Sequence, residues 1–478
     1  MKFIDYFILL AYGLGLIAFA YFVSRRKNTD QDEEFYLGSK NLGAGHIGLS
    51  VAATDVGGGF SIGLGALGFT LGLSGSWLLF TGLVGALLSS IILIPRLKLL
   101  ELDHSYFSYP QVIKHYFGSH AAHLAALISF IGYLAFTSAQ LMAGTKLASV
   151  LIPGLSFSAI MIILTLISVI YTSIGGLRAV VLTDTIQWTL VVLGLGFIAI
   201  PLGIIHLGGI EHIVERAGPE SLSLTQLSFQ TLINWMISIV PIWFVAMTLY
   251  QRIFACKDER EAKRAWYIAG FFEWPVMAFL GVGMGVLAKV AFLDGLLQVP
   301  STGGDLDPEL AIPLFLKTVL PTGLLGLLFV SYLSAILSTA DSCLMAASGN
   351  LYSDFLTEKK WTNRLVSPRV ITFSLGLLAL ALGLLFDSVL KLMLHAYGFM
   401  ISGLLIPTLA IFLTKKTASS SALISMVVGI LSYLMFTNID TGGWNANLFG
   451  ISFSAIAYIG SDYINEYLNR NKRISKAK

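Results

Sequence analysis

The chain alternates apolar stretches of span length with short polar joints from end to end. A helix needs about 20 predominantly apolar residues to cross a bilayer, so each stretch is read as a membrane span. Thirteen are expected, at 5–24, 43–70, 75–94, 121–150, 156–175, 180–203, 229–250, 266–290, 322–349, 370–386, 388–414, 419–437 and 447–464. The first is too long for a signal-peptide core, and its positive charges Arg25, Arg26 and Lys27 follow it rather than precede it. It is read as a retained span. The longer joints 204–228 and 291–321 carry Gly, Pro and acidic residues and suit short surface helices.

Composition sharpens this picture. Of the 478 residues 56% are hydrophobic and only 12% charged, with a mean hydropathy of +0.79. Soluble domains carry roughly one-quarter charged residues. No polar segment is long enough to form a separate soluble domain, so one transmembrane domain over 1–478 is expected. The net charge of +3 resides in short joints and leaves no footprint for nucleic acid. Cys256 and Cys343 fall in a basic joint and an apolar helix, which argues against a disulfide framework or a metal cluster. No His-rich cluster, nucleophile–base pair or phosphate loop points to an enzyme.

Charge also orients the chain. With the N-terminus outside, 24 of the 30 Lys and Arg lie at cytoplasmic joints and 6 on or near the outer side. That is the sense of the positive-inside rule. The basic joints Arg25–Lys27, Arg252–Arg264, Lys359–Arg369 and Lys415–Lys416 and the tail Arg470–Lys478 alternate accordingly. A multi-pass protein of the cell (inner) membrane with a cytoplasmic C-terminus is expected.

Two spans depart from plain helices. The second contains Ala53, Thr54, Asp55 and Val56 followed by Gly57, Gly58 and Gly59. Each Gly costs about 1 kcal/mol relative to Ala inside a helix. Unwound backbone at membrane depth is tolerated where it is buried or lines a cavity, and the carbonyls it frees can bind a cation. The glycines serve equally well for close helix packing. In the span 322–349, Ala335, Ser338, Thr339 and Ser342 share one helical face. Their oxygens suit a hard cation, although such hydroxyls also bond back to their own helix. Acidic residues inside spans mark function by default: Asp55, Asp184, Glu273 and Asp341. Glu273 is expected to reach the cytoplasmic interface, and His395 to be a satisfied packing residue.

At these residues the chain resembles the sodium:solute symporter family, whose members take up proline, pantothenate, choline, sugars, sialic acid and monocarboxylates. The match is carried by Tyr171–Val180 with Thr183–Gln187, by Gln251-Arg252 with the loop Cys256–Arg264, and by Leu324–Gly326 through Ser338–Ser342 to Ser353-Asp354. The run Ala53–Val56 is similar to that of bacterial sodium/proline symporters, whereas Gly57–Gly59 is similar to choline-type members.

The resemblance implies an all-α, LeuT-like fold with two inverted five-helix repeats, about 43–203 and 229–414. One extra helix, 5–24, precedes them and two, within 419–464, follow. It implies a sodium ion as cofactor, held by the carbonyls of Ala53, Val56 and Ala335 and the hydroxyls of Ser338 and Thr339, with Asp55 supplying electrostatics. A second ion, or an ion exit, is implied at Asp184, Asp341 and Ser342, with Ser338 shared; Asp341 stands where two-ion members have a hydroxyl. Gly57, Gly58, Gln140, Trp243 and Tyr397 are candidates for the substrate pocket, Trp243 offering cation–π attraction to a cationic solute. Sodium-coupled symport of a small organic solute by alternating access is expected, with sodium, solute and lipid bilayer as partners and no nucleic acid or obligate protein partner. The alternative is a solute sensor built on a transporter body.

Overall fold

The computed structural model describes residues 2–24, 43–102, 106, 108–297, 306–352, 367–413 and 418–476. The basic joints Arg25–Lys27 and Lys415–Lys416, residues 359–366 of the third joint, Ser353-Asp354 and the final residues 477–478 lie outside this set. Among the described residues every regular element is helical. The first half contains α1 (Phe3–Ser24), α2 (Ala44–Leu71), α3 (Trp77–Glu101), α4 (Tyr109–Phe117), α5 (Ser119–Leu151) and α6 (Phe157–Gly194). The short α7 (Ile200–His206) and α8 (Ile210–Leu222) follow. Next come α9 (Phe229–Ile239), α10 (Ile242–Val245), α11 (Met247–Ala255), α12 (Glu259–Phe271), α13 (Ala278–Leu293) and α14 (Ala311–Val319). The chain closes with α15 (Leu324–Leu351), α16 (Pro368–Gly383), α17 (Val389–Leu413), α18 (Ser419–Thr437) and α19 (Ala446–Lys476).

Eight helices among the described residues are long and apolar enough to span a membrane, or nine if the bent pair Phe229–Val245 and Met247–Ala255 is one span. The expected thirteen is not reproduced by this count, for a geometric reason. The helical stretch Phe157–His206 runs for 50 residues, on the order of 75 Å if straight, against an apolar core of about 30 Å. It contains the two expected spans 156–175 and 180–203 and turns at Gly176, where φ is 63°. Ile62–Glu101 likewise runs for 40 residues without a long joint. Conversely, the apolar α16 is short, and the expected span 447–464 is part of the longer, more polar α19.

Short helices occupy both long joints. In α8, Ile213, Ala217 and Ser221 are buried at a spacing of four, so one stripe faces the protein. Helix starts follow local capping: Ser156, Ser228 and Asp258 each accept a backbone N–H three residues on.

At the centre stands α15, buried almost continuously from Leu328 to Asn350 and packed on α2, α5 and α6. Around it, α2 packs on α12 and α13, while α17 packs on α5. The outer helix α1 lies on α6 and α15, and α18 and α19 pair beside α17. Asp5 fastens α1 to the centre. Its carboxylate is buried and accepts the N–H groups of Gly323 (2.8 Å) and Gly326 (3.0 Å) at the start of α15. A residue from one helix thereby satisfies two of the four orphan donors at the head of another.

Candidate functional site

Two helices are broken beside α5. In α2 the break falls at Gly57, with φ 44° and ψ 179°. A Cβ there would sit 2.7 Å from the Thr339 hydroxyl oxygen, so glycine serves both the left-handed backbone and the approach of α15. The second break, between α10 and α11, is one extended residue, Ala246, with φ −70° and ψ 114°, and it bends the pair by 44°. The glycine run pointed to the first break; no residue type in 229–250 pointed to the second.

Side chains of α5 hold both breaks. Gln140 Oε1 accepts the N–H of Gly58 at 3.0 Å. The Tyr133 hydroxyl accepts the N–H of Thr248 at 3.2 Å and pairs with the Thr248 hydroxyl at 3.0 Å. Tyr133, Phe136 and Gln140 lie at i, i+3 and i+7, on one helical face. Each break frees a backbone donor that burial would otherwise leave unpaired.

The α2 break meets the hydroxyl face of α15. Thr339 Oγ1 donates to the carbonyl of Ala53 at 2.8 Å and lies 3.3 Å from that of Ala335, to which Ser338 also donates at 3.1 Å. Ala53, Val56, Ser338 and Thr339 are almost wholly buried, and Ala335 is 5% exposed. The predicted oxygens of Ala53, Ala335, Ser338 and Thr339 are thus brought together, and Val56 adjoins them on the last turn before Gly57.

Asp55 points to the other side of α2. Tyr397 donates to its Oδ1 at 3.4 Å, and the Tyr397 ring stacks on Phe136 with centroids 4.9 Å apart. A small pocket between the two breaks is lined by Thr54, Asp55, Tyr133, Phe136, Ala246, Thr248, Cys343 and Tyr397. Of the predicted pocket residues Tyr397 lines it; Gly57, Gly58 and Gln140 do not, and the bond from Gly58 to Gln140 holds them together beside the α2 break. Trp243 is placed differently: fully buried in α10, it lies edge-on to Trp266, 6.2 Å between centroids, and against Gly85 of α3.

Glu273 corrects the sequence reading. It does not reach an interface but is fully buried. Beyond Phe271 the helix runs through an irregular turn, Phe272–Met277, in which Trp274 is extended, and this turn aims the carboxyl inward. It lies against Gly82 of α3, where a Cβ would collide with it, and meets the Asp55 carboxyl. Among the described residues the Asp55 carboxyl is the one hydrogen-bonding group that meets it, and the two can share a proton in a hydrogen bond. Two buried carboxyls in contact repel when both are charged, and a nearby cation relieves that repulsion.

The remaining acidic residues are engaged separately. Asp341 Oδ1 accepts from Ser168 (2.5 Å) and Thr172 (2.6 Å) on α6. Asp184 accepts from Ser50 and lies 3.5 Å from the guanidinium of Arg252, which is fully buried and also reaches Ser342. Sequence reasoning placed Arg252 in a basic joint, and the only signal of another role was its place at the end of an apolar run. His395 is satisfied by Tyr433 at 2.9 Å.

Comparison with known proteins adds three findings. Residues 35–429 match the family described as "Sodium:solute symporter family". The chain is 26% identical to the sodium/pantothenate symporter of Haemophilus influenzae, over 96% of this chain and 95% of that protein. It is 26% identical to the high-affinity proline transporter of Bacillus subtilis (92% and 95%) and 24% identical to the sodium/glucose cotransporter of Vibrio parahaemolyticus (90% and 84%). In structure it resembles a Na+-coupled sialic acid symporter in a substrate-bound outward-open state, with a TM-score of 0.79 at 20% identity over 95% of this chain and 97% of that one. A nucleobase-cation-symport-1 family transporter aligns with a TM-score of 0.57 at 14% identity over 90% and 94%. The fold is therefore LeuT-like.

Proposed function

The chain belongs to the sodium:solute symporter family, and from that membership we propose a place for each cargo of its transport cycle. As a sodium-coupled carrier of a small solute it needs an ion site and a solute site that communicate. The sodium ion binds the carbonyls of Ala53, Val56 and Ala335 and the hydroxyls of Ser338 and Thr339. The observation that carries this is the bond from Thr339 to the Ala53 carbonyl at the Gly57 break. It puts a hydroxyl oxygen of one helix and a freed carbonyl of another around one point, which is the arrangement a hard cation requires.

The solute site forms where the pocket between the breaks, now large enough for about one water, widens, and there Asp55, Tyr133 and the stacked Phe136 and Tyr397 present polar and aromatic surface. An amino acid such as proline, a choline-like solute or a carboxylate is the class of cargo. Gly57, Gly58 and Gln140 act on it indirectly, by fixing the α2 break, and Trp243 packs on Trp266 rather than facing the solute. Asp55 belongs to both sites, its backbone between two sodium ligands and its side chain in the pocket. Sodium binding orders the break and so completes the solute pocket; coupling of about 1–3 kcal/mol between the two cargoes is enough to order their binding. The repeats 43–203 and 229–414 then rock about this point, one broken helix in each. The N-terminus lies outside and the C-terminus in the cytoplasm of the cell (inner) membrane. The matched family and relatives are carriers, which favours transport over sensing.

Reconstitution tests the reading. Uptake of proline, pantothenate, choline and glucose into proteoliposomes should be stimulated by an inward sodium gradient for at least one solute. The Ser338→Ala/Thr339→Ala protein removes two of five ligands and should need at least about tenfold more sodium for half-maximal uptake. An unchanged sodium requirement in that protein rejects the site.

A further inference from the structure

We propose that a groove between α1 and the helix bundle holds one acyl chain of a membrane phospholipid. This groove is separate from the ion and solute sites proposed above. Near its foot α1 is drawn tightly onto α6: Ala20 is fully buried, and its Cβ lies 3.2 Å from the place a Cβ on Gly175 would take. Asp5 fastens the head of α1 to α15. Between these anchors a groove of about 260 Å³ opens among α1, α5, α6 and α15. Its floor is one face of α15, made by Phe329, Leu333 and Leu337 at a spacing of four, and none of the three is more than 5% exposed. Leu337 directly precedes Ser338, so whatever fills the groove packs against the helix that carries the proposed ion ligands.

Chemistry and size select the occupant. Apart from Tyr6 and Tyr12, every lining residue is a hydrocarbon side chain or glycine, and the Tyr12 hydroxyl accepts from Gln187 at 2.8 Å. Buried water needs about two to four polar partners and stays out of such a space. A further helix is about 10–12 Å across and too thick for this volume. A methylene takes up about as much room as a water molecule, roughly 30 Å³, so the groove accepts on the order of eight or nine in line. From Phe329 to Leu337 the floor runs about 12 Å along the helix axis, against about 15 Å for one leaflet of the apolar core. Volume and length both suit a single tail lying parallel to the helices.

The groove is also open to the bilayer. Its rim carries Leu10 and Ile163, 64% and 47% exposed, and continues into Phe7 and Ile162 on the outer faces of the same two spans. One end reaches Ile152 and Leu155 in the joint between α5 and α6, where a headgroup can remain at the membrane surface. The other end stops at Gly13, which has no side chain to fill it. The lipid phase is as apolar as the groove, so the tail is held by close packing rather than by escape from water. A lipid on an open helix face touches protein on one side, whereas this tail is walled by four helices.

Photo-cross-linking of the full chain in proteoliposomes tests this, with a phosphatidylethanolamine that carries a diazirine in one acyl chain as the probe. Label is expected on Leu333 or Leu337, which lipid outside the groove does not reach, as well as on the exposed Ile162. At Gly13 an added Cβ meets only Ile167, at 3.9 Å, so Gly13→Phe fills the inner end of the groove. It should cut the α15 label about tenfold relative to that on Ile162. Gly15→Phe, where a Cβ meets nothing within 4 Å, should leave both labels unchanged. Label confined to outward-facing residues in the unaltered chain overturns the inference whether or not the variants fold. So does α15 label that Gly13→Phe does not reduce, or preferential labelling of Leu333 and Leu337 by a diazirine sterol supplied in equal amount.

Discussion

At the scale of single residues, the site turns on Asp55 and Gly57. From the far side of α2, on the order of 8–10 Å away, a negative charge still contributes roughly 2 kcal/mol to cation binding at an effective dielectric of about 20. Asp55→Asn keeps the shape and deletes the charge. It should raise the sodium needed for half-maximal transport by well over tenfold and weaken solute binding mainly at low sodium. Binding curves at low and saturating sodium check this: solute affinity that stays poor at saturating sodium would mean that Asp55 pairs with the solute itself. Gly57→Ala places a methyl group against Thr339 at a positive φ, which costs on the order of 1–2 kcal/mol from the backbone alone. Sodium affinity should fall more than about tenfold, as measured by sodium titration of uptake. These two residues were legible in the sequence because their types are out of place in an apolar span. Glu273 was not, because its burial depends on an irregular turn and on Gly82, 191 positions earlier in the chain.

At the scale of elements, α5 is the part that makes two weak helices dependable. Its one face carries the acceptor for Gly58 and the hydroxyl for Thr248. Gln140→Leu leaves the Gly58 N–H buried and unpaired, a loss of about 1–3 kcal/mol. The melting temperature and the transport rate should both fall, whereas Gln140→Glu, which keeps the acceptor, should retain more of each. Thermal unfolding followed alongside uptake decides between these outcomes; equal damage from both changes would show that the acceptor is not what matters. The break in α2 could be anticipated from three consecutive glycines. The break at Ala246 could not, since the broken residue is neither glycine nor proline and the group that satisfies the freed Thr248 N–H, Tyr133, lies 115 positions away on α5.

At the scale of the whole molecule, the apolar pattern revealed the membrane class, and the family motifs revealed the LeuT-like fold. The number of spans was less legible, since hydropathy divides the chain at polar joints and the helices turn at places such as Gly176 without one. Sidedness is testable directly. Both native cysteines are buried, so a cysteine placed at residue 2 should react with an impermeant maleimide on intact cells, and one placed near the C-terminal end only after permeabilisation. Labelling of both from one side would reverse the proposed topology. Asp5 gives this arrangement a history as well as a shape. It is made 318 residues before Gly323, its partner at the head of α15. At about 5–20 residues per second the ribosome needs roughly 16–64 s to cover that distance. For that interval the first helix can already pack on α6, but its carboxylate lacks the two donors at the head of α15. The helix that carries three of the five proposed sodium ligands is therefore fastened at its head by a residue made long before it.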